Sequence, residues 1–179
     1  ARSQNLNIFS LGGFACILTK EGKMLVIRRG KNLLYYPNYL SLVGGHLAFN
    51  SHVSHSVSGD AIFKMTNEEV KEELGFDLEN LECNYRFCFH SVSKERKSIH
   101  FYFIVQTKLS EQELIDMIKK DEIEVEEVKF VSSDELKNLE SGISPVLEKF
   151  VQYALKVDNH GTNDILSLEN YDEDILYIQ

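Results

Sequence analysis

The sequence predicts an α+β fold, an α/β/α sandwich on a mixed sheet, and three observations point to it. Apolar, β-favouring runs of strand length recur between Phe14 and Val131. One strongly helical segment, Asp60 to Leu74, has no internal Gly or Pro and ends at Gly75. Further helical stretches are mixed among the later strands in an order that does not fit a doubly wound parallel sheet.

Each element has its own signal. Phe14 to Thr19 is apolar, Lys20 to Lys23 reads as a turn, and Met24 to Ile27 resumes the pattern, so a β-hairpin is expected. Lys31 to Asn38 is expected as a tyrosine-bearing loop, and Tyr39 to Val43 as a short strand stopped by Gly44 and Gly45. From His46 to Gly59 the chain is small, polar and histidine-dotted, a loop or a weak hairpin. Leu81 to Val92 and Ser98 to Thr107 read as an antiparallel pair. Ser110 to Lys120 is an amphipathic helix whose Ser110 and Glu113 suit a capping box. Val125 to Val131 is a strand, Ser133 to Leu139 a short helix, and Ser144 to Lys156 a longer helix with Pro145 in its first turn.

Composition narrows the class. At 179 residues, 43% hydrophobic and 26% charged, with two prolines, the chain resembles an ordinary globular domain rather than a disordered or collagen-like one. Residues 1–156 are expected to form one domain, and residues 157–179 an acidic tail docked on it or on a neighbouring chain. The net charge is −9, of which Asp158, Asp164, Glu169, Asp172, Glu173 and Asp174 supply −6, so bulk electrostatic binding to nucleic acid is disfavoured. No apolar run approaches the ~18 residues of a membrane span. No membrane partner is expected, and a cytoplasmic location is, with Ala1 in place of Met suggesting a trimmed or processed chain. Cys16, Cys83 and Cys88 lack metal-site spacing, and a disulfide framework is not expected, although a bridge involving Cys16 stays open. Neither GxGxxG nor a P-loop occurs.

Chemistry concentrates between Gly59 and Phe76. On a helix, Glu69, Glu72 and Glu73 stand at i, i+3 and i+4 and share one face, while Phe63, Val70 and Leu74 turn another face to the core. The acidic face is therefore expected to point away from the core or into a cleft. Glu68 with Glu72 and Glu69 with Glu73 are like-charge pairs, each costing about 0.2 to 0.5 kcal/mol in an isolated helix. Such a face is either simply solvated or held together by a hard divalent cation such as Mg²⁺ or Mn²⁺.

With Gly44 and Gly45 ahead of them, Asp60, Glu69, Val70, Glu72, Glu73, Gly75 and Phe76 resemble the signature of the Nudix hydrolases, G-x5-E-x7-R-E-U-x-E-E-x-G-U. Six positions match directly and Asp60 conservatively. Two departures stand out. Fourteen residues instead of five separate Gly45 from Asp60, a nine-residue insertion, and Glu68 occupies the position of the arginine. Lys64 and Arg86 are candidates for supplying the missing positive charge.

The resemblance implies an α/β/α sandwich and Mg²⁺- or Mn²⁺-dependent hydrolysis of a pyrophosphate linkage in a nucleoside diphosphate derivative: a nucleotide, a nucleotide sugar, ADP-ribose or a dinucleoside polyphosphate. By position in the motif it implies Gly44 (through its carbonyl), Glu69, Glu72 and Glu73 as the metal set. Glu69 and Glu73 become the catalytic carboxylates, Glu69 being the leading base and Glu122, Glu124, Glu126 and Glu127 the alternatives. mRNA decapping and a catalytically silent nucleotide- or protein-binding module are the competing readings.

Arg28, Arg29, Gly45 and His46 are expected to meet a nucleotide-derived substrate, although Arg28 and Arg29 read equally as surface charges at a strand end. Tyr35, Tyr36 and Tyr39 suit either stacking on a base or the rim of a core. Lys94, Arg96 and Lys97 are the one basic loop that suits capped RNA, a homodimer is compatible with the sequence, and His52 and His55 read as loop histidines rather than metal ligands.

Overall fold

In the computed structural model, residues 10–47, 58–93, 96–138 and 142–158 are described. The central strand is β1 (Ser10–Leu18), which alternates Phe14, Cys16 and Leu18 on one face with Ala15 and Ile17 on the other, all buried. A strand apolar on both faces belongs inside a sheet with layers on each side. It runs antiparallel to β4 (Val43–His46) and parallel to β6 (Ser98–Thr107). The next strand, β2 (Met24–Arg29), pairs antiparallel with β3 (Leu40–Ser41) and β7 (Val125–Val131), and β5 (Cys83–Ser93) pairs antiparallel with β6. The sheet is mixed, in the order β3-β2-β1-β6-β5, with β4 added on β1 and β7 on β2.

Two sequence expectations change. The hairpin of β1 and β2 survives only at Leu18↔Met24, because β1 has β6 and β4 as longer partners and β2 has β7. The strand expected over Tyr39 to Val43 breaks at Leu42, where the chain leaves β2 (Leu40 opposite Arg28) for β1 (Val43 opposite Ala15). The break places the Gly44–Gly45 pair beside β1.

Helix α1 (Gly59–Leu74) buries Ile62, Phe63, Val70 and Leu74 against Ala15, Ile17, Val43, Phe101, Phe103 and Val105. On the opposite face α4 (Pro145–Asp158) buries Leu147 and Phe150 against Phe14, Cys16, Leu18, Leu42, Tyr102 and Ile104. Each such large side chain contributes about 1.5–3 kcal/mol through burial. Two short helices, α2 (Glu111–Met117) and α3 (Ser133–Lys137), begin with Ser–Glu capping boxes and add Leu114 and Leu136 to the two cores. The three layers are those expected, and Cys16, Cys83 and Cys88 are all free. Most of the 46–59 insertion, with His52 and His55, and the tail beyond residue 158 lie outside the described residues.

Both ends of α1 are secured. Ser58 accepts from the Ala61 amide at 3.2 Å, and Gly75 adopts the left-handed conformation (φ 76°), donating to the Lys71 carbonyl at 2.9 Å. Asn67, buried on the helix, donates to Asp77 at 2.7 Å and accepts from the Leu78 amide at 2.8 Å, which pins the following 3₁₀ turn. A segment ahead of β7 completes the C-terminal end: the amides of Lys119 and Asp121 donate to the carbonyls of Leu74 (2.8 Å) and Glu73 (2.9 Å). Those carbonyls would otherwise lack partners. Asp121 Oδ1 accepts from the amides of Ile123 (2.7 Å) and Glu124 (3.1 Å), and the Glu124 carbonyl accepts from Gly30 at 2.8 Å. One short segment thus ties the end of α1 to the end of β2.

Candidate active site

Gly44 and Gly45 organise the site by lacking side chains. Gly44 has φ 128°, in the region that favours glycine, and a Cβ there would collide with the Gly13 carbonyl. Its amide donates to Oε2 of Glu73 at 2.9 Å. At Gly45 the space a Cβ would take is occupied by the carboxylate of Glu69. Two successive glycines of β4 therefore receive two carboxylates one helical turn apart on α1.

Their surroundings differ by degrees. Glu73 is only 4% exposed, and burial pushes its carboxyl up to about 8. The Gly44 hydrogen bond opposes this, Glu124 and Glu69 reinforce it, and Arg29 acts in the stabilising sense. Glu69 is half-buried and pushed up to about 7, by burial first and then by the charges of Glu72 and Glu124. Glu72 is exposed. Of the face expected to point away from the core or into a cleft, Glu72 lies at the solvent, Glu69 is half-buried and Glu73 is buried, because α1 ends against the bare backbone of Gly44 and that contact excludes water.

Among the described residues, no three or more His, Cys, Asp or Glu side chains are disposed to hold a metal ion as they stand. Of the set inferred from the motif, Gly44, Glu69 and Glu73 are brought together, with Glu72 at the solvent edge. The donor chemistry does fit a hard divalent cation. Two poorly solvated carboxylates face further acidic neighbours, Glu72 and Glu124, and positive charge would relieve that repulsion.

Glu68 does not add to the repulsion in the cleft. Its carboxylate accepts from Lys71 at 2.7 Å, and Lys71 also pairs with Asp77 at 2.9 Å, so the charge is turned along the helix toward the 3₁₀ turn. Neither expected supplier of the missing cation plays that part. Lys64 is exposed, and Arg86 lies opposite Ile104 on the α4 face, where its charge acts on Cys88 and Tyr153. The arginine whose charge reaches Glu73 is Arg29.

A β-bulge between Arg28 and Arg29 separates their roles. Arg28 donates to Glu127 (3.2 Å) and to the Asn38 carbonyl (2.9 Å), so it is engaged in holding its own loop. Arg29 donates through Nε to the Tyr35 carbonyl at 3.2 Å. Among the acidic residues of the segment before and within β7, Glu122 pairs with Lys120, Glu127 with Arg28 and Lys129, and Glu126 is exposed. Glu124 alone of the four acts on both Glu69 and Glu73. Sequence reasoning left these four unranked, because only the tie between this segment and α1 tells them apart.

The chain is 29% identical over 147 residues to an uncharacterized Nudix hydrolase of Listeria innocua, a match covering 82% of this chain and 78% of that protein. The chain has the Nudix fold and is similar in sequence to Nudix hydrolases over most of its length. A second uncharacterized Nudix hydrolase, from Listeria monocytogenes, is 27% identical over 70% of this chain and 65% of its own length. The Nudix fold is equally plain in solved structures. A MutT protein from Methanosarcina mazei superposes with TM-score 0.60 at 15% identity, covering 86% of this chain and 95% of that one. The NUDIX domain of Shewanella oneidensis NrtR, crystallised with ADP ribose, gives 0.55 at 12% identity over 88% and 93%. No family model matches the chain. Among the described residues no helix is long and apolar enough to cross a membrane.

Proposed function

We propose that the chain hydrolyses a pyrophosphate linkage in a nucleoside diphosphate derivative with the help of Mg²⁺ or Mn²⁺. The observation that carries this reading is the pair of poorly solvated carboxylates, Glu69 and Glu73, seated on Gly45 and Gly44 at the end of β4. Carboxylates repel a polyanionic substrate, so this pair suits pyrophosphate chemistry only in company with a cation. A divalent ion would supply that charge and offset the charge developing on the phosphate oxygens.

Glu69, Glu72 and Glu73, with the Gly44 carbonyl, are the residues that would hold the ion. The Gly44 amide fixes Glu73. Glu69, with its carboxyl near 7, is suited to accept a proton from the attacking water at neutral pH, and Glu124 is the alternative base favoured by its proximity to both. In this reading Arg29 and Gly45 would meet the substrate beside the carboxylates, with His46 on the other face of β4, whereas the bonds of Arg28 to Glu127 and Asn38 weigh against a direct role for it. The nucleotide character of the substrate draws support from the NrtR domain, whose structure contains ADP ribose.

The silent-module reading drew on Glu68, and the Glu68–Lys71 pair takes that charge out of the cleft, which favours hydrolysis. The test is incubation with nucleotide sugars, ADP-ribose, dinucleoside polyphosphates, nucleoside triphosphates and capped RNA in the presence of Mg²⁺ or Mn²⁺. Glu72→Gln/Glu73→Gln serves as the control. Metal-dependent product absent from the control is expected, and no product from any member of the panel would overturn the reading.

A further inference from the structure

On the face of the sheet opposite α1, Gly12 of β1 is the register partner of two histidines at once: His46 on β4 and His100 on β6. Register partners project to the same face. The two imidazoles therefore flank a position without a side chain, on strands about 10 Å apart. Ser91 of β5, opposite His100, extends the row.

The His100 ring is placed rather than free. Its Cδ2 lies 2.9 Å from where a Cβ on Gly12 would be, and the ring is edge-on to Phe14 with centroids 5.2 Å apart. Arg96 belongs to the same group: together with His46 it disfavours the charged form of His100, with burial the larger cause. The Arg96 guanidinium lies over the Tyr36 ring, 5.2 Å from its centroid, and Tyr36 Oη is buried without a hydrogen-bond partner among the described residues. No carboxylate among the described residues pairs with His46, His100 or Arg96. Among the described residues, three nitrogen donor groups thus lie together on this face with no carboxylate paired to them, beside an aromatic hydroxyl without a partner.

We propose that His46, His100 and Arg96, around the open position at Gly12, form a recognition site for a phosphate group of the substrate other than the linkage being cleaved. The description of this phosphate as part of the substrate rests on the hydrolase reading above. Imidazole N–H and guanidinium groups are strong donors to phosphate oxygens. The location fits as well. Gly45 and His46 are consecutive and face opposite sides, and among the described residues β4 pairs with β1 alone, so a ligand held near Glu69 and Glu73 would reach His46 around the edge of β4.

The test is titration of the full chain with inorganic phosphate, without divalent metal and at fixed pH, observing the imidazole C–H resonances by NMR. His46→Gln and His100→Gln identify the two signals. Both are expected to shift saturably and together, and Arg96→Gln is expected to weaken the binding about tenfold. Absence of any shift at His46 and His100, or an Arg96→Gln affinity equal to wild type, would overturn the proposal. Glu73→Gln should bind phosphate as the wild type does, which separates this site from the carboxylates. Phosphate binding in a chain that turns over no substrate would sink the hydrolase reading and leave the anion site standing. Turnover without these shifts would do the reverse.

Discussion

The Gly44 amide reaches across 29 positions of sequence to donate to Oε2 of Glu73, a carboxylate almost wholly removed from water. A charged group so placed costs stability unless something positive joins it.

Stability of the metal-free protein should accordingly depend on pH in a defined direction. The Glu73 carboxyl lies at about 8 in the folded state, against 4.5 ordinarily. Between those values the folded chain holds a proton the unfolded chain has released, so stability falls as pH rises. Glu69, at about 7, acts in the same sense. Urea midpoints measured without metal should decline from about pH 5 to pH 8, Glu73→Gln should flatten the slope, and Mg²⁺ should restore stability at the upper end.

The two neighbouring glycines should separate fold from chemistry. Gly44→Ala meets backbone at positive φ and should cost about 3 kcal/mol of stability. Gly45→Ala meets the end of the flexible Glu69 side chain, so it should unfold at a denaturant concentration close to wild type while losing about a hundredfold in kcat/KM.

Glu68→Gln tests whether the departure from the family signature matters. The residue forms an exposed, solvent-screened pair with Lys71, and its charge is directed away from the cleft. Thermal denaturation and steady-state kinetics should both stay near wild type. A large loss of rate would mean that Glu68 enters the site.

Glutamine substitutions at residues 122, 124, 126 and 127 should give one strong phenotype. Glu124→Gln should lower kcat about 10²- to 10³-fold if it moves the proton, and about tenfold or less if Glu69 does. Glu122→Gln and Glu126→Gln should be close to wild type. Glu127→Gln should act through KM, because it frees Arg28 beside the tyrosine loop.

The layers and the motif were legible because local patterns specify them. The apolar arc of Phe63, Val70 and Leu74, the stop at Gly75 and the capping box at Ser110 each follow from chemistry within one or two turns. The divergence of β1 from β2 was not legible, since it depends on competition among strands distant in sequence. The ranking of the three glutamates escaped for a similar reason. A helical wheel gives Glu69, Glu72 and Glu73 one direction, while their solvation depends on a bare stretch of β4 that the wheel does not contain. Arg29 was legible as a cation at the end of β2, but its separation from Arg28 required the bulge. The row of His46, Gly12 and His100 joins three strands and leaves no local trace.

The amides of Lys119 and Asp121 close the last turn of the helix that carries Glu69 and Glu73, and the same few residues deliver Glu124. Acidic groups encoded some fifty positions apart therefore behave as parts of one rigid bracket. Lengthening or shortening that bracket would disturb the placing of Glu124 and the termination of α1 in a single stroke, so the spacing there is far less free to drift than that of an ordinary surface connection.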